Sequence, residues 1–388
     1  MNPILRKTLG QTLALNQRLA HGAGNGFDWL FRSDRLVKSG KTWFELVHDG
    51  DPMSVRYYGL PEESSIELPN GSRMEVERRQ FPLPLVLVPP LGVTANTFDL
   101  MPNRSLARYM AARGFRTYLI DWGKPGKEHA RLGISDYADT MMSQALAKIR
   151  KHAGTQELSM MGWCMGGLLI LLHAGLTRGR DIRNIVTVAS PIDMRGGGMV
   201  AGLAAALDAP ARLIRQYTDF RMHSLDPGSM SVPPWMTTLA FKLTDPVGSV
   251  TTYWDLLTRL WDREFVESHT TTSNYLNRML RYPGGVLQDM TVQMGVDNQL
   301  ASGQVEIGGK LADLRSLQAA LLVFAGETDH LVAPEVARKL IEIVSSTDKE
   351  FRVVPGGHMG VVLGGKAVDG VWAPSADWLA GRSGAQAH

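Results

Sequence analysis

From residue 83 onward, short apolar runs alternate with amphipathic stretches. Residues 83–88 (LPLVLV) are uniformly apolar and end at Pro89-Pro90, as a strand covered on both faces does. A helix is expected around 103–113, then a strand over 115–121 (FRTYLID), then a longer helix from Ser135 and Asp136 to about His152. Residues 157–161 read as the next strand, 165–176 as an apolar helix, and 185–190 (IVTVAS) as another strand. Much later come a strand over 319–325 (AALLVFA), a helix entered at Pro334, and a strand over 351–355. Strands alternating with helices predict an α/β fold, with a mostly parallel central sheet flanked by helices and right-handed crossovers.

Two regions break this rhythm. Residues 195–310 carry Gly196-Gly197-Gly198, the Pro–aromatic turns Pro233-Pro234-Trp235 and Tyr282-Pro283-Gly284-Gly285, and helical stretches such as 251–262. They are expected to form an inserted cap, or lid, over a core made of 81–194 and 311–388. Residues 1–80 read as a helical and extended segment packing on that core, with a turn at Pro69-Asn70-Gly71. At the start, Ile4, Leu5, Leu9, Leu13 and Leu19 suit a modestly amphipathic helix docked on its own domain, with a surface-binding helix as the alternative. No acidic residue precedes Asp28, but the apolar stretches are too broken for a secretory signal.

Composition narrows the function classes. With 44% hydrophobic and 20% charged residues, the 388-residue chain has ample material for a core. A net charge of +3 gives no electrostatic case for nucleic acid, and no apolar run approaches a membrane span. One cysteine cannot form an intrachain disulfide, which points to a reducing, cytoplasmic setting.

That cysteine carries the chemistry. Cys164 lies in Gly162-Trp163-Cys164-Met165-Gly166-Gly167, between an apolar strand and an apolar helix. A lone cysteine is ordinarily a small core residue. Glycines two residues either side, with a third after them, instead resemble the nucleophile elbow of the α/β-hydrolases, written with sulfur. The elbow is a strained strand-to-helix turn where flanking side chains would collide. A thiol needs a base and an electropositive setting, and in this fold the acid and then the histidine follow the nucleophile. His358, in the glycine-rich loop Pro355-Gly356-Gly357-His358-Met359-Gly360, is the expected base. Asp329, in Gly326-Glu327-Thr328-Asp329-His330, is the expected orienting acid, with Glu327 its rival and a helix-capping role its alternative. His330 is expected to be structural, and His129, His152 and His173 have no partner pattern. An oxyanion hole would use the Met165 amide and one from the loop after residue 88, near Gly92. No cofactor or metal is called for.

Gly162–Gly167 is also similar to the lipase-like box of the polyhydroxyalkanoate synthases. Residues 104–108 (RSLAR) and 114–123 (GFRTYLIDWG) resemble the segment before that box in the class III type, and 329–334 (DHLVAP) and 355–360 (PGGHMG) resemble the regions supplying its acid and base. The resemblance covers roughly 83–195 and 310–380. It implies a Cys164–Asp329–His358 triad, (R)-3-hydroxyacyl-CoA as substrate, and a growing polyester held as a thioester. It also implies a homodimer through a mobile cap, an accessory synthase subunit and a polymer-granule surface as partners. The chain departs from the family at Val93 and Thr94, where the synthases usually show Asn-Lys or Asn-Arg, and in most of 195–310 apart from places such as Asn274–Asn277. The alternative on the same scaffold is a thioesterase or polyester depolymerase with water as acceptor. A non-enzymatic docking platform is disfavoured by the intact triad.

Overall fold

The computed structural model describes residues 3–217, 222–242 and 253–386. Eight strands form one central sheet: β1 (Glu45–His48), β2 (Ser54–Tyr58), β3 (Leu85–Val88), β4 (Thr117–Asp121), β5 (Leu158–Trp163), β6 (Ile182–Val188), β7 (Ala320–Gly326) and β8 (Lys349–Val354). Their spatial order is 1-2-4-3-5-6-7-8. β1 pairs antiparallel with β2 and β2 with β4, while every pairing from β4 to β8 is parallel. The uniformly apolar runs end up where helices cover both faces, and every residue of β3 and of β5 is buried.

β1 and β2 show that part of the 1–80 segment is built into the sheet rather than laid against it. β1, at the sheet edge, has no buried residue, and β2 buries only Val55 and Tyr58. Helix α1 (Pro3–Phe31) precedes them. Side chains before residue 16 lie outside the described part, and Leu19, the remaining member of the expected apolar stripe, is exposed. In its described part the helix docks through Trp29, which packs with Leu36, Leu256 and Val266, and through polar contacts: Asn25 donates to the Leu260 carbonyl at 2.7 Å, Asp28 pairs with Arg263 at 2.6 Å, and Arg18 stacks over Trp261.

Between the sheet strands run α2 (Leu106–Ala112), α3 (Met142–Ala153), α4 (Met165–Thr177) and, after β7, α8 (Pro334–Ile343). The helix expected from Ser135 opens instead with a π-helical turn over Asp136–Met141, and α3 ends at Gly154 in the left-handed region. α4 is apolar all round because it is buried all round; Leu168 to Leu172 have no exposed surface.

The sheet is interrupted between β6 and β7. Here lie α5 (Gly198–Tyr217), α6 (Pro234–Lys242) and α7 (Arg263–Asn277). Residues 218–221 and 243–252, part of the expected cap, fall outside the described residues, as do the first two of the helical stretch expected at 251–262. The insertion is tied to the core by backbone: Leu280 donates to the Gly92 carbonyl at 2.8 Å, Gly284 to Ala130 at 2.8 Å and Val286 to Leu132 at 2.9 Å. A Cβ on Gly284 would fall on the Pro227 carbonyl, so a glycine is required at this close approach. At its far end a hairpin of Gln304–Ile307 and Lys310–Asp313 packs on α4, straddling the expected boundary at 310.

Candidate active site

Cys164 sits between β5 and α4 with φ 50° and ψ −120°, outside the regions a side chain ordinarily tolerates. Its amide donates to the Val188 carbonyl at 2.8 Å, which pins the strained residue to β6. The glycines explain why the turn can close. A Cβ on Gly162 would lie 2.5 Å from the Gly167 nitrogen, and one on Gly166 would fall on the Val88 carbonyl, with Pro89 at 2.9 Å. Gly167 would meet Ser190 Oγ. The elbow is thus packed on the C-terminal end of the sheet, and the half-buried thiol stands above it.

Two loops bring partners to it. After β7 the chain turns so that Asp329 is buried, and after β8 the loop 355–359 presents His358. His358 Nδ1 and Asp329 Oδ2 are 2.8 Å apart, with side chains 9% and 0% exposed. The other carboxylate oxygen accepts from the amides of Leu331 and Val332 at 2.9 and 2.8 Å. Asp329 therefore orders the turn leading to α8 while holding the ring, but it does not cap that helix, whose N-cap residue is Ala333 with no side-chain hydrogen bond. The Trp163 ring lies 5.3 Å from the imidazole and restrains its other face.

With Nδ1 engaged, the second ring nitrogen is left for sulfur, and Cys164 lies close enough for its charge to act on the ring. Burial pulls the imidazolium down, but the Cys164 sulfur and the Asp329 carboxylate outweigh it and push the His358 pKa up to about 10. Asp329 and the nearby sulfur thus favour a protonated His358 ring, the electropositive setting that a nucleophilic cysteine needs.

Met165 is the first residue of α4, so its amide has no acceptor within the helix and points over the elbow. The Val88 and Pro89 carbonyls lie against Gly166, so the loop carrying Gly92 leaves the sheet beside the elbow, and Gly92 adopts φ 81°. Val93 is buried and offers no side-chain donor at the family's Asn-Lys position.

The remaining candidates separate cleanly. Glu327 is exposed, and so is His330, whose carbonyl accepts from Met199 at 2.8 Å. His129 faces Glu128 and Asp51, His152 bonds to Tyr118 and Glu45, and His173 bonds to the Ala138 carbonyl. Among the described residues no three His, Cys, Asp or Glu side chains are grouped to hold a metal ion.

Sequence reasoning missed Tyr282. It comes from the insertion, where its backbone pairs with Val232, and its ring lies 3.1 Å from where a Gly92 Cβ would be. Burial, the Cys164 charge and Tyr137 raise its hydroxyl pKa, so the group stays protonated. The hydroxyl reaches Met290 Sδ at 3.0 Å. Tyr282 lies beside the Gly92 loop and near enough to Cys164 for the thiol's charge to act on its hydroxyl; the Pro283-Gly284-Gly285 that follows lets the backbone dock against residues 130–132 but does not mark the ring.

A family model for the alpha/beta hydrolase fold matches residues 84–364. The chain belongs to that family. Two solved structures share the fold at 14% identity: a soluble variant of monoglyceride lipase from Saccharomyces cerevisiae in complex with a substrate analogue (TM-score 0.50, covering 90% of this chain and 97% of that one) and DcsB in complex with its substrate analogue (TM-score 0.51, 88% and 99%). Among curated proteins, the poly(3-hydroxyalkanoate) polymerase subunit PhaC of Haloferax mediterranei is 27% identical over 351 residues, 89% of this chain and 65% of that protein. The protein of the same name from Allochromatium vinosum is 25% identical over 363 residues, 92% and 93% of the two chains. This chain thus spans about two thirds of the haloarchaeal relative and nearly all of the Allochromatium one. The resemblance carried by Gly162–Gly167 and its flanks extends, in these relatives, over most of the chain.

Proposed function

We propose that the protein is a cysteine-dependent acyltransferase of the polyhydroxyalkanoate-synthase type, polymerising (R)-3-hydroxyacyl-CoA with release of CoA. The observation that carries this reading is the Cys164 sulfur beside a buried His358–Asp329 couple, in a chain whose relatives are named as such polymerases, with Tyr282 of the insertion acting as a roof in this reading.

The chemistry follows from sulfur. The Cys164 thiolate attacks the acyl-CoA carbonyl, with the oxyanion held by the Met165 amide and one near Gly92. CoA leaves as a thiolate and takes the proton from His358, giving CoA thiol, a neutral imidazole and an acyl-Cys164 thioester. One thioester has replaced another at little free-energy cost, so the acyl group remains reactive. Neutral His358 then accepts the proton of an incoming 3-hydroxyl, and that oxygen attacks the acyl-Cys164 carbonyl. An ester forms, Cys164 leaves as thiolate, and the ion pair is restored. Asp329 keeps the ring oriented throughout. The roof disfavours water as acceptor, and no cofactor enters any step.

The insertion acts as the cap in this reading. Its exposed Trp235, Met236, Leu239, Trp254 and Leu257 offer an apolar face for a homodimer, an accessory subunit or the polymer-granule surface. Among the described residues no helix is long and apolar enough to cross a membrane, and a free catalytic thiol suits the cytoplasm. The test is purified protein with 3-hydroxybutyryl-CoA, following CoA release and the acyl group together. Polymer or oligomer appearing with CoA supports the reading. Stoichiometric free 3-hydroxy acid with no oligomer at any substrate concentration replaces it with a thioesterase.

A further inference from the structure

Two cavities outside the Cys164–His358 site meet at Arg104. One, of about 580 Å³, is walled by Phe265, His269, Thr272 and Leu276, which share one face of α7, and by Tyr253. Its lining is mainly apolar, and its volume is in the range of small-molecule sites. Leu276 also packs against the apolar core on one side of the sheet, so the inner wall of this chamber is continuous with that core. The other cavity, of about 570 Å³, is polar and holds most of the charged side chains, while Lys242 lines the first. Arg104 and Ser268 line both.

The charges in the polar cavity are unevenly satisfied. Lys38 is paired with Glu267 at 3.0 Å, and Arg108 with Glu63. Arg104 is only partly exposed, and among the described residues its guanidinium has no hydrogen bond or ion pair. Burial lowers its pKa, and the charge of Glu264 does not make up the difference. A half-buried cation without an anion is costly to keep. On the apolar side, the His269 ring is 7% exposed and its Nδ1 has no partner, although Tyr253 and Phe265 pack on the ring. An apolar chamber ending at an unpaired guanidinium has the layout of a site for an amphiphile with an anionic head.

The head should carry a single charge. Four cations (Lys38, Arg73, Arg104, Arg108) and three carboxylates (Glu67, Glu264, Glu267) line the polar cavity, Lys242 lines the chamber and Glu63 pairs with Arg108, leaving a local excess of one positive charge. The several phosphate charges of a nucleotide would face three glutamates there. We propose that the two cavities form one binding site for a carboxylate-headed acyl chain, with the chain in the α7 chamber and the carboxylate on Arg104. A free fatty acid and a released hydroxyacyl oligomer share that chemistry. The site stands whether or not Cys164 transfers acyl groups.

Calorimetric titration of the full chain with dodecanoate, and separately with linear 3-hydroxybutyrate trimer acid, tests this. At least one of the two acids should bind at one site per chain, and the tighter one identifies the source. Arg104→Met should weaken that binding by about 10- to 100-fold, the loss of one charge-assisted contact, and Arg104→Lys should recover part of it. Thr272→Trp, which fills the chamber from the other end, should abolish binding and carries the test if Arg104→Met does not fold. Carboxamidomethylation of Cys164 should leave the affinity unchanged. Four outcomes would overturn the proposal: no saturable binding of either acid; equal affinity in folded Arg104→Met or in Thr272→Trp; equal binding of dodecanol and dodecanoate; or loss of binding on alkylation of Cys164. Coenzyme A competing with the acid in an Arg104-dependent way would overturn the single-charge assignment.

Discussion

Replacing Gly166 by alanine should separate the elbow from the end of the sheet. The new Cβ would fall on the Val88 carbonyl oxygen, with the Pro89 carbonyl carbon and oxygen both at 2.9 Å. These are backbone atoms of β3 and its exit loop, so no rotamer change relieves the overlap. The start of α4 and the end of β3 must part by roughly 1 Å to regain carbon contact distances. Overpacking of this kind costs about 1–3 kcal/mol. At 388 residues the entropy of melting makes 3 kcal/mol a shift of only about 4 °C in Tm. Reactivity should suffer far more, since a displacement of about 1 Å at a reacting centre costs on the order of 100-fold. Gly167→Ala is the control. Its Cβ would meet Ser190 Oγ, the movable end of a side chain, with Ser190 Cβ at 3.1 Å, and Ser190→Gly should restore the double variant. Iodoacetamide labels only Cys164 in this chain, so its rate reports on the elbow directly. Wild-type melting and labelling in Gly166→Ala, or an unrelieved defect in Gly167→Ala/Ser190→Gly, would refute the packing argument.

Three further outcomes are expected. Asp329→Asn should slow acyl transfer by roughly 100-fold or more while leaving some acylation, whereas Glu327→Gln, at an exposed position, should leave the single-turnover rate near wild type; the reverse pattern would move the orienting role to Glu327. Because His358 holds its proton up to about pH 10, transfer from acyl-CoA should fall as pH rises through 10, where the proton for the leaving CoA is lost; a rate that fell through the ordinary histidine range instead would contradict the raised ring. Tyr282→Ala opens the roof, so the acyl-enzyme should hydrolyse faster and free hydroxy acid should rise relative to oligomer, measured by quenched-flow chromatography; an unchanged ratio would remove Tyr282 from water exclusion.

The parallel part of the sheet was legible because its strands are buried on both faces and read as unbroken apolar runs. β1 and β2 were not, because a half-exposed edge hairpin carries only a weak alternation, and its place in the sheet is set by pairing with β4, some sixty residues on. The elbow could be read from Gly162, Gly166 and Gly167, each present because a Cβ would meet a neighbour. Asp329 and His358 could be read because they follow the strands that bring them together. Glu327 could not be eliminated from sequence alone: two residues from Asp329, only the turn geometry decides which carboxylate faces inward. Tyr282 was illegible for a different reason. Its meeting with Gly92 depends on how a long insertion folds back, and no local pattern encodes that contact. Arg104 likewise stands out only once α7 is seen to wall the space beside it.

The central claim is that Cys164 carries the acyl group between CoA and a hydroxyl acceptor. Intact-protein mass spectrometry of the enzyme quenched in acid after mixing with 3-hydroxybutyryl-CoA tests it most directly, because the single cysteine leaves one place for a thioester. The account predicts mass increments of one or more hydroxybutyryl units on the wild-type chain, forming as fast as CoA appears, removed by hydroxylamine and absent from Cys164→Ala. CoA release by Cys164→Ala at the wild-type rate, or turnover by the wild type with no thioester at any quench time, would contradict it.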